Sequence, residues 1–229
     1  MATDIDMCNL ALSFLGANAN IQSIVPPDGS AESDHAARFY PMARRSVLQA
    51  HAWGFATRRL PLAGATLGLT DLQPPGWSYV YEKPSQCLQI ISVLEPSSAS
   101  TVVPGYLPTS VSAATLAPAD QKVNDFIEET LQGGTPVIYT NVYAPILRYV
   151  VDVTDTTKFP PLMSIAVARL LASYLAGPII KGEEGRKESE SQLKRYQTLD
   201  LPAATGADGQ GRRVSTYEQS MPAPIKARQ

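Results

Sequence analysis

The run Pro161 to Ile180 carries a single charge, Arg169, among Leu162, Ile165, Leu170, Leu171, Leu175 and Ile179. A segment this long and apolar is stable in a bilayer or in a protein core, and wherever it goes dictates the rest of the fold. Arg169 near the middle of a bilayer would cost about 2.5–3.5 kcal/mol on insertion scales. Ser164, Ser173, Tyr174 and Gly177-Pro178 dilute the run further. A buried helix is therefore expected, with no membrane partner. Ser164, Ala168, Ala172 and Ala176 recur every fourth position, a stripe of small side chains that lets a second helix approach closely.

Helical patterns occur on both sides of a different middle. Ile5, Cys8, Leu12 and Leu15 share one face of a helix expected from Asp4 to Leu15, with Thr3 or Asp4 to cap its start and Gly16 to end it. After Pro26-Pro27-Asp28-Gly29, Ser30 opens a second helix to about Ala50, with Glu32 and Asp34 in its first turns and Pro41 expected to kink it near Phe39-Tyr40. Toward the other end, a helix starting near Thr157 or Lys158 is expected to stop at Gly177-Pro178. A charge-laced helix from Gly182 to Thr198 follows, supported by the pairs Glu183 with Lys187 and Glu190 with Lys194.

Between these blocks the period changes to that of strands. Trp77 to Tyr81, Cys87 to Leu94, Val123 to Leu131, Pro136 to Thr140 and Pro145 to Val153 have strand length and composition. Gly133-Gly134 is a turn in which both positions can take positive φ. Residues 96–119 hold no charge and read as a long excursion between strands, a feature that usually has a partner or a task. From Leu199 to Gln229 the composition is Pro, Gly, Ala and Gln with few large apolar residues, too little to offset ordering entropy in an isolated subunit.

The expected fold class is thus α+β: a helical bundle formed by N-terminal and C-terminal helices, with an inserted antiparallel β module and an extended C-terminal arm. The expected divisions are 1–52 for the first half of the helical core, 53–154 for the β-rich module, 155–198 for the second half and 199–229 for the arm.

The 229 residues carry a formal charge of −2, so there is no global polycation to drive phosphate binding. Only 17% are charged, against about 25% in ordinary domains, and the shortage points to surface shared with neighbours. Cys8 and Cys87 cannot build a disulfide framework and read as small buried apolar residues. The N-terminus shows no basic stretch followed by an apolar one, so synthesis and retention in a cytoplasm are expected.

Chemistry is thinly represented. There is no GxSxG, HExxH, P-loop or strand-associated GxGxxG. His51, in the cluster His51-Ala-Trp53-Gly-Phe55, has no local carboxylate or metal partner and reads as a helix-end histidine; His35 reads as a surface or half-buried residue. Asp152 and Asp155 suit a strand end and a helix cap better than an acid pair. Arg44-Arg45, Arg58-Arg59 and Arg212-Arg213 read as solvated or locally paired, with contact to acidic protein or to DNA as the functional alternative.

A family resemblance lies in a series of pieces in order. Asp6-Met-Cys-Asn-Leu-Ala-Leu-Ser-Phe-Leu-Gly-Ala17 is followed by Ala31 to Tyr40 and by Pro41-Met-Ala-Arg-Arg-Ser-Val-Leu-Gln-Ala-His-Ala-Trp-Gly-Phe-Ala56. Then come Tyr79-Val-Tyr81, Pro84-Ser-Gln-Cys-Leu-Gln-Ile90, Ile138-Tyr-Thr-Asn141, Leu147-Arg-Tyr149, Asp152-Val-Thr-Asp155 and Phe159-Pro-Pro-Leu162. Across residues 4–198 the chain resembles the head-to-tail adaptor, or head-completion, proteins of tailed phages, also called tail tubular protein A. The resemblance implies a structural virion protein at the head–tail junction, made in the host bacterial cytoplasm. It implies a homo-oligomeric, dodecameric ring that binds the portal on one side and the tail nozzle or tail tube on the other. DNA would pass through its channel without sequence-specific binding. In that family a C-terminal extension commonly reaches onto the portal.

Here Tyr217, Met221 and Ile225, spaced by four, are candidate anchors for a partner groove, with Arg212 and Arg213 beside them. No catalytic, cofactor or metal residue is assigned, and the expectation is a protein that is not an enzyme. The alternatives are a small enzyme with a site near His51 or Asp152–Asp155, and a DNA-binding packaging factor using the arginine doublets.

Overall fold

A computed structural model describes residues 3–17, 20–65, 67, 71–95 and 123–211. The chain is an α+β fold of helices and two small antiparallel sheets. Helix α1 spans Asp4–Phe14 and is opened by Thr3, whose hydroxyl accepts from the Asp6 amide while the Asp6 carboxylate accepts from the Thr3 amide, a reciprocal capping box. Gly16, at φ +71, supplies the left-handed residue that ends it. The linker that follows is tied back by Asn9, whose side-chain amide brackets Ile21 with two hydrogen bonds of 3.0 and 2.7 Å. Asp28 accepts from the Ser30 hydroxyl and from the Gln22 and Ser30 amides, bonds that hold its carboxyl down at about 2. Helix α2, Ala31–Ala50, is capped by Ser30 and runs through Pro41.

Helix α3, Pro161–Ile180, is the expected apolar helix, and by length and composition it could cross a membrane. In the fold it is sheathed by protein, contacting α1, α2 and the following helix, with Met163, Ala166, Val167, Leu171 and Leu175 fully buried. It begins later than expected. Asp155 first caps a 3-10 turn, Thr156–Lys158, accepting from the Thr157 amide and hydroxyl, and Pro161 then occupies the first helical turn. It also ends later, because the expected stop at Gly177-Pro178 does not occur. A proline ring normally clashes with the Cβ of the residue before it, and Gly177 has none. The reversal comes instead at Lys181 and Gly182, both with positive φ of 61 and 67.

Helix α4, Gly182–Arg195, lies back along α3. The small-residue stripe serves this approach: a Cβ built on Gly185 would lie 2.9 Å from the Ala176 carbonyl oxygen. The helix does not end at Thr198. It widens into one π turn, Tyr196–Asp200, and continues as helix α5, Leu201–Gln210. Residues 199–210 were expected to lie in an extended arm, and they are helical. Tyr196 and Ala204 are buried in the main core with Leu201 against it, so tertiary contacts order a segment whose own composition could not. The remainder of the arm, with Arg212, Arg213, Tyr217, Met221 and Ile225, lies outside the described residues, as does the stretch 96–119.

The middle of the chain forms two sheets. Strands β1 (Thr57–Pro61), β3 (Cys87–Leu94), β4 (Val123–Asn124) and β7 (Ile146–Val151) make one, in the order β1-β7-β3-β4. Strands β2 (Tyr79–Glu82), β5 (Phe126–Thr130) and β6 (Pro136–Thr140) make the other, in the order β2-β6-β5. Two details differ from expectation. Thr57–Pro61 is an edge strand whose exposed Arg58 and Arg59 hid its identity, and the expected strand 123–131 divides at Asp125 so that its halves join different sheets. In the β5–β6 turn only Gly134 takes positive φ, at +82; its amide reaches Leu131 O and Leu131 pairs with Thr135, a turn closed by a bulge.

Alternation along β7 joins the layers. Leu147 and Tyr149 pack with Leu62, Tyr81, Ile90, Val93 and Ile138 between the sheets, while Val150 points into the helical core with Trp53, Val153 and Phe159. The β layer therefore shares its core with the helices.

Candidate functional site

The α2 C-terminus, the turn after it and helix α5 meet at the point from which the C-terminal arm departs. His51 leaves α2 in an extended conformation and stands edge-on to the Trp53 ring, 5.0 Å between centroids. Trp53 is fully buried, and its indole donates to the Val47 carbonyl at 2.8 Å. His51 Nε2 lies 3.1 Å from Asp208 Oδ2, and Asp208 Oδ1 accepts from the Gly54 amide at 2.9 Å. The histidine thus has the carboxylate partner that local sequence did not supply, brought from 157 residues away. One carboxylate ties both the histidine and the turn to α5. Ala50, His51, Leu201, Pro202, Thr205 and Gly206 line a shallow groove along this junction.

An ion-paired cluster holds the other end of α5. Arg169 Nε donates to Asp200 Oδ2 at 3.1 Å and Nη1 to Gln192 Oε1 at 2.8 Å, with the guanidinium carbon 3.6 Å from the Phe14 ring centroid. The Gln192 amide donates onward to Phe14 O and to Glu188. The lone charge of the apolar helix thereby fastens α1, α4 and the π turn to one another. The π turn rotates the helix after Arg195, and Asp200, in that turn, meets the arginine.

The other residues weighed from sequence are spread through the fold. Asp152 is clamped by both members of one arginine doublet, Arg44 at 2.8 Å and Arg45 at 2.9 Å. Asp155 caps the 3-10 turn, where the Thr157 hydroxyl holds its carboxyl below the usual range. The two carboxylates thus carry separate structural duties. Arg58 reaches backbone carbonyls of Phe55 and Thr57, and His35 stacks on Phe39 at 6.3 Å. Burial pushes the thiols of Cys8 and Cys87 up to about 12 and about 11, so both remain protonated near neutrality and are poor nucleophiles. Among the described residues no group of three or more His, Cys, Asp and Glu side chains could hold a metal ion.

The loop between β6 and β7 is fixed by a residue distant in sequence. Tyr81, buried, donates its hydroxyl to Val142 O at 3.1 Å and accepts from the Ala144 amide at 2.9 Å. Burial raises its phenol, keeping the donating proton in place. Ala144, whose amide makes the second bond, sits at φ +48, a conformation costing an L-residue about 1–2 kcal/mol, and Tyr143, between the two bonded residues, is left facing solvent. No short-range pattern marks this loop, because the residue that holds it is on another strand.

The fold and these contacts define a helical core with a shared β layer and a C-terminal helix pinned at both ends. No protein-family model matches the chain, and no curated protein matches it.

Proposed function

We propose that this chain is a structural virion protein: a head-to-tail adaptor that assembles as a dodecameric ring between the portal and the tail nozzle or tail tube and leaves a channel for the genome. The observation that carries the reading is where the residues of the family resemblance fall. Met7, Cys8, Ala11 and Leu12 of the first run, Ala36, Tyr40, Ala43, Val47 and Trp53 of the second, and Val153 and Phe159 of the last belong to one buried cluster. A resemblance carried by positions that pack together in one core is a resemblance of fold. The pinned helix α5 supports the same reading, since it gives a C-terminal arm with Arg212, Arg213, Tyr217, Met221 and Ile225 a fixed point of departure toward the portal.

The enzyme reading gains a carboxylate for His51. Both thiols are held protonated, which makes neither a ready nucleophile, and Asp208 is engaged with the Gly54 amide. The DNA-binding reading loses one doublet to Asp152. Imaging of virions carrying an epitope-tagged copy tests the adaptor proposal: density for the tag is expected at the portal–tail junction, and intact particles without the chain at that junction would overturn it.

A further inference from the structure

The exposed aromatic cleft on the three-stranded sheet has no ligand assigned by anything above. Tyr143 is 74% exposed and Tyr79 38%, their rings 5.7 Å apart with planes inclined at 61°. Leu62, Gly64, Val80, Tyr81 and Ala144 complete the lining, and none of these residues is charged. Space above Gly64 is open, with nothing within 4 Å of where a Cβ would stand. The Tyr81 hydroxyl fixes the loop in a conformation that alanine rarely adopts, so the Tyr143 ring is presented without a search. A cleft of tyrosines, apolar side chains and open backbone offers a phosphate no positive charge. It suits a proline-containing extended segment, whose rings stack on aromatic faces and whose backbone is already restricted.

We infer that this cleft takes the Met221-Pro-Ala-Pro-Ile225 segment of the same chain's C-terminal arm. Pro222 and Pro224 set φ near −65° at alternate positions, which disfavours helix and presents both rings along an extended strand. Reach permits the contact. Asp208 is bonded to Gly54, and Trp53 O accepts from both the Ala56 and Thr57 amides, so the chain turns tightly there before β1 starts. From Thr57 to Gly64 is seven residues, at most about 25 Å. From Gly211, at the end of α5, to Met221 is ten residues, up to about 33–36 Å when extended. The arm can therefore lie along the edge strand β1 and deliver its prolines to the tyrosines of its own subunit. Docked there, Met221 and Ile225 are withheld from any other partner until one competes for them. This inference stands apart from the adaptor reading and survives its failure.

The test uses the full chain with a nitroxide at Arg228→Cys in a Cys87→Ser background, since Cys8 is fully buried and stays unlabelled. The Gly64 and Val80 amide signals are expected to lose at least half their intensity, and to recover when the nitroxide is reduced. Tyr143→Ala, at an exposed position, and the double change Pro222→Ala with Pro224→Ala are each expected to restore the signals. Unaltered signals in the labelled chain would overturn the inference, as would broadening indifferent to both variants. Broadening that fades when labelled chain is diluted with unlabelled chain would overturn docking within one subunit and place the arm on a second copy.

Discussion

At the scale of single residues the molecule is held by a few charges that do structural work. Arg169 is the clearest: its side chain and that of Asp200 are 14% and 19% exposed, so the pair is only partly screened by water. Arg169→Ala would leave Asp200 and Gln192 facing an emptied site beside Phe14, and removing one partner of a buried pair costs about 3–5 kcal/mol. Urea denaturation is expected to show a loss of about 3 kcal/mol, with Arg169→Lys between the two because a lysine cannot serve carboxylate, amide and ring face together. This residue was visible in the sequence as the one charge of an apolar run. Its partners were not, since Gln192 and Asp200 become neighbours only after the chain reverses at Lys181 and the helix shifts phase at residues 196–200.

At the scale of elements, helix against helix is decided by contact distance more than by propensity. Gly185 and Gly206 are both helical, and alanine is worth up to about 1 kcal/mol over glycine in a helix interior. The structure gives the two substitutions opposite signs. A Cβ at Gly185 would press on the Ala176 carbonyl at 2.9 Å, whereas at Gly206 it meets nothing within 4 Å. Gly185→Ala is expected to destabilise by about 1–3 kcal/mol as α4 is pushed off α3, and Gly206→Ala to stabilise by about 0.5–1 kcal/mol; thermal melts of both variants read the difference. The stripe at Ser164, Ala168, Ala172 and Ala176 announced a close approach. It did not announce the glycine that completes it.

At the scale of the whole molecule, the question is what keeps a weakly helical C-terminal segment on the core. Helix α5 holds Pro202, Gly206 and Gly209 and would not form alone. It is fastened through Asp200 at one end and Asp208 at the other. A hydrogen bond to a charged group contributes about 1.5–3 kcal/mol, so Asp208→Ala is expected to speed amide exchange in residues 204–210 by about tenfold or more while α1, α2 and α3 keep their protection. Exchange followed by mass spectrometry checks this, and a uniform rise across all helices would show that α5 is part of the global unfolding unit instead.

The sequence by itself determined the helices α1 to α4, four of the strands to within a residue or two, the burial of the apolar helix and the α+β class. Each of these rests on periodicity, capping residues or turn residues within about twenty positions of one another. Tertiary structure decided the rest. It ordered residues 199–210, recruited Thr57–Pro61 as an edge strand, and gave His51 its carboxylate and Asp152 its two arginines. The physical reason is shared: a composition too poor to fold alone, a charged strand edge or an isolated titratable side chain is settled by groups far away in the chain, from 31 residues for Arg169 and Asp200 to 157 for His51 and Asp208, and the closing of the core brings them within bonding distance.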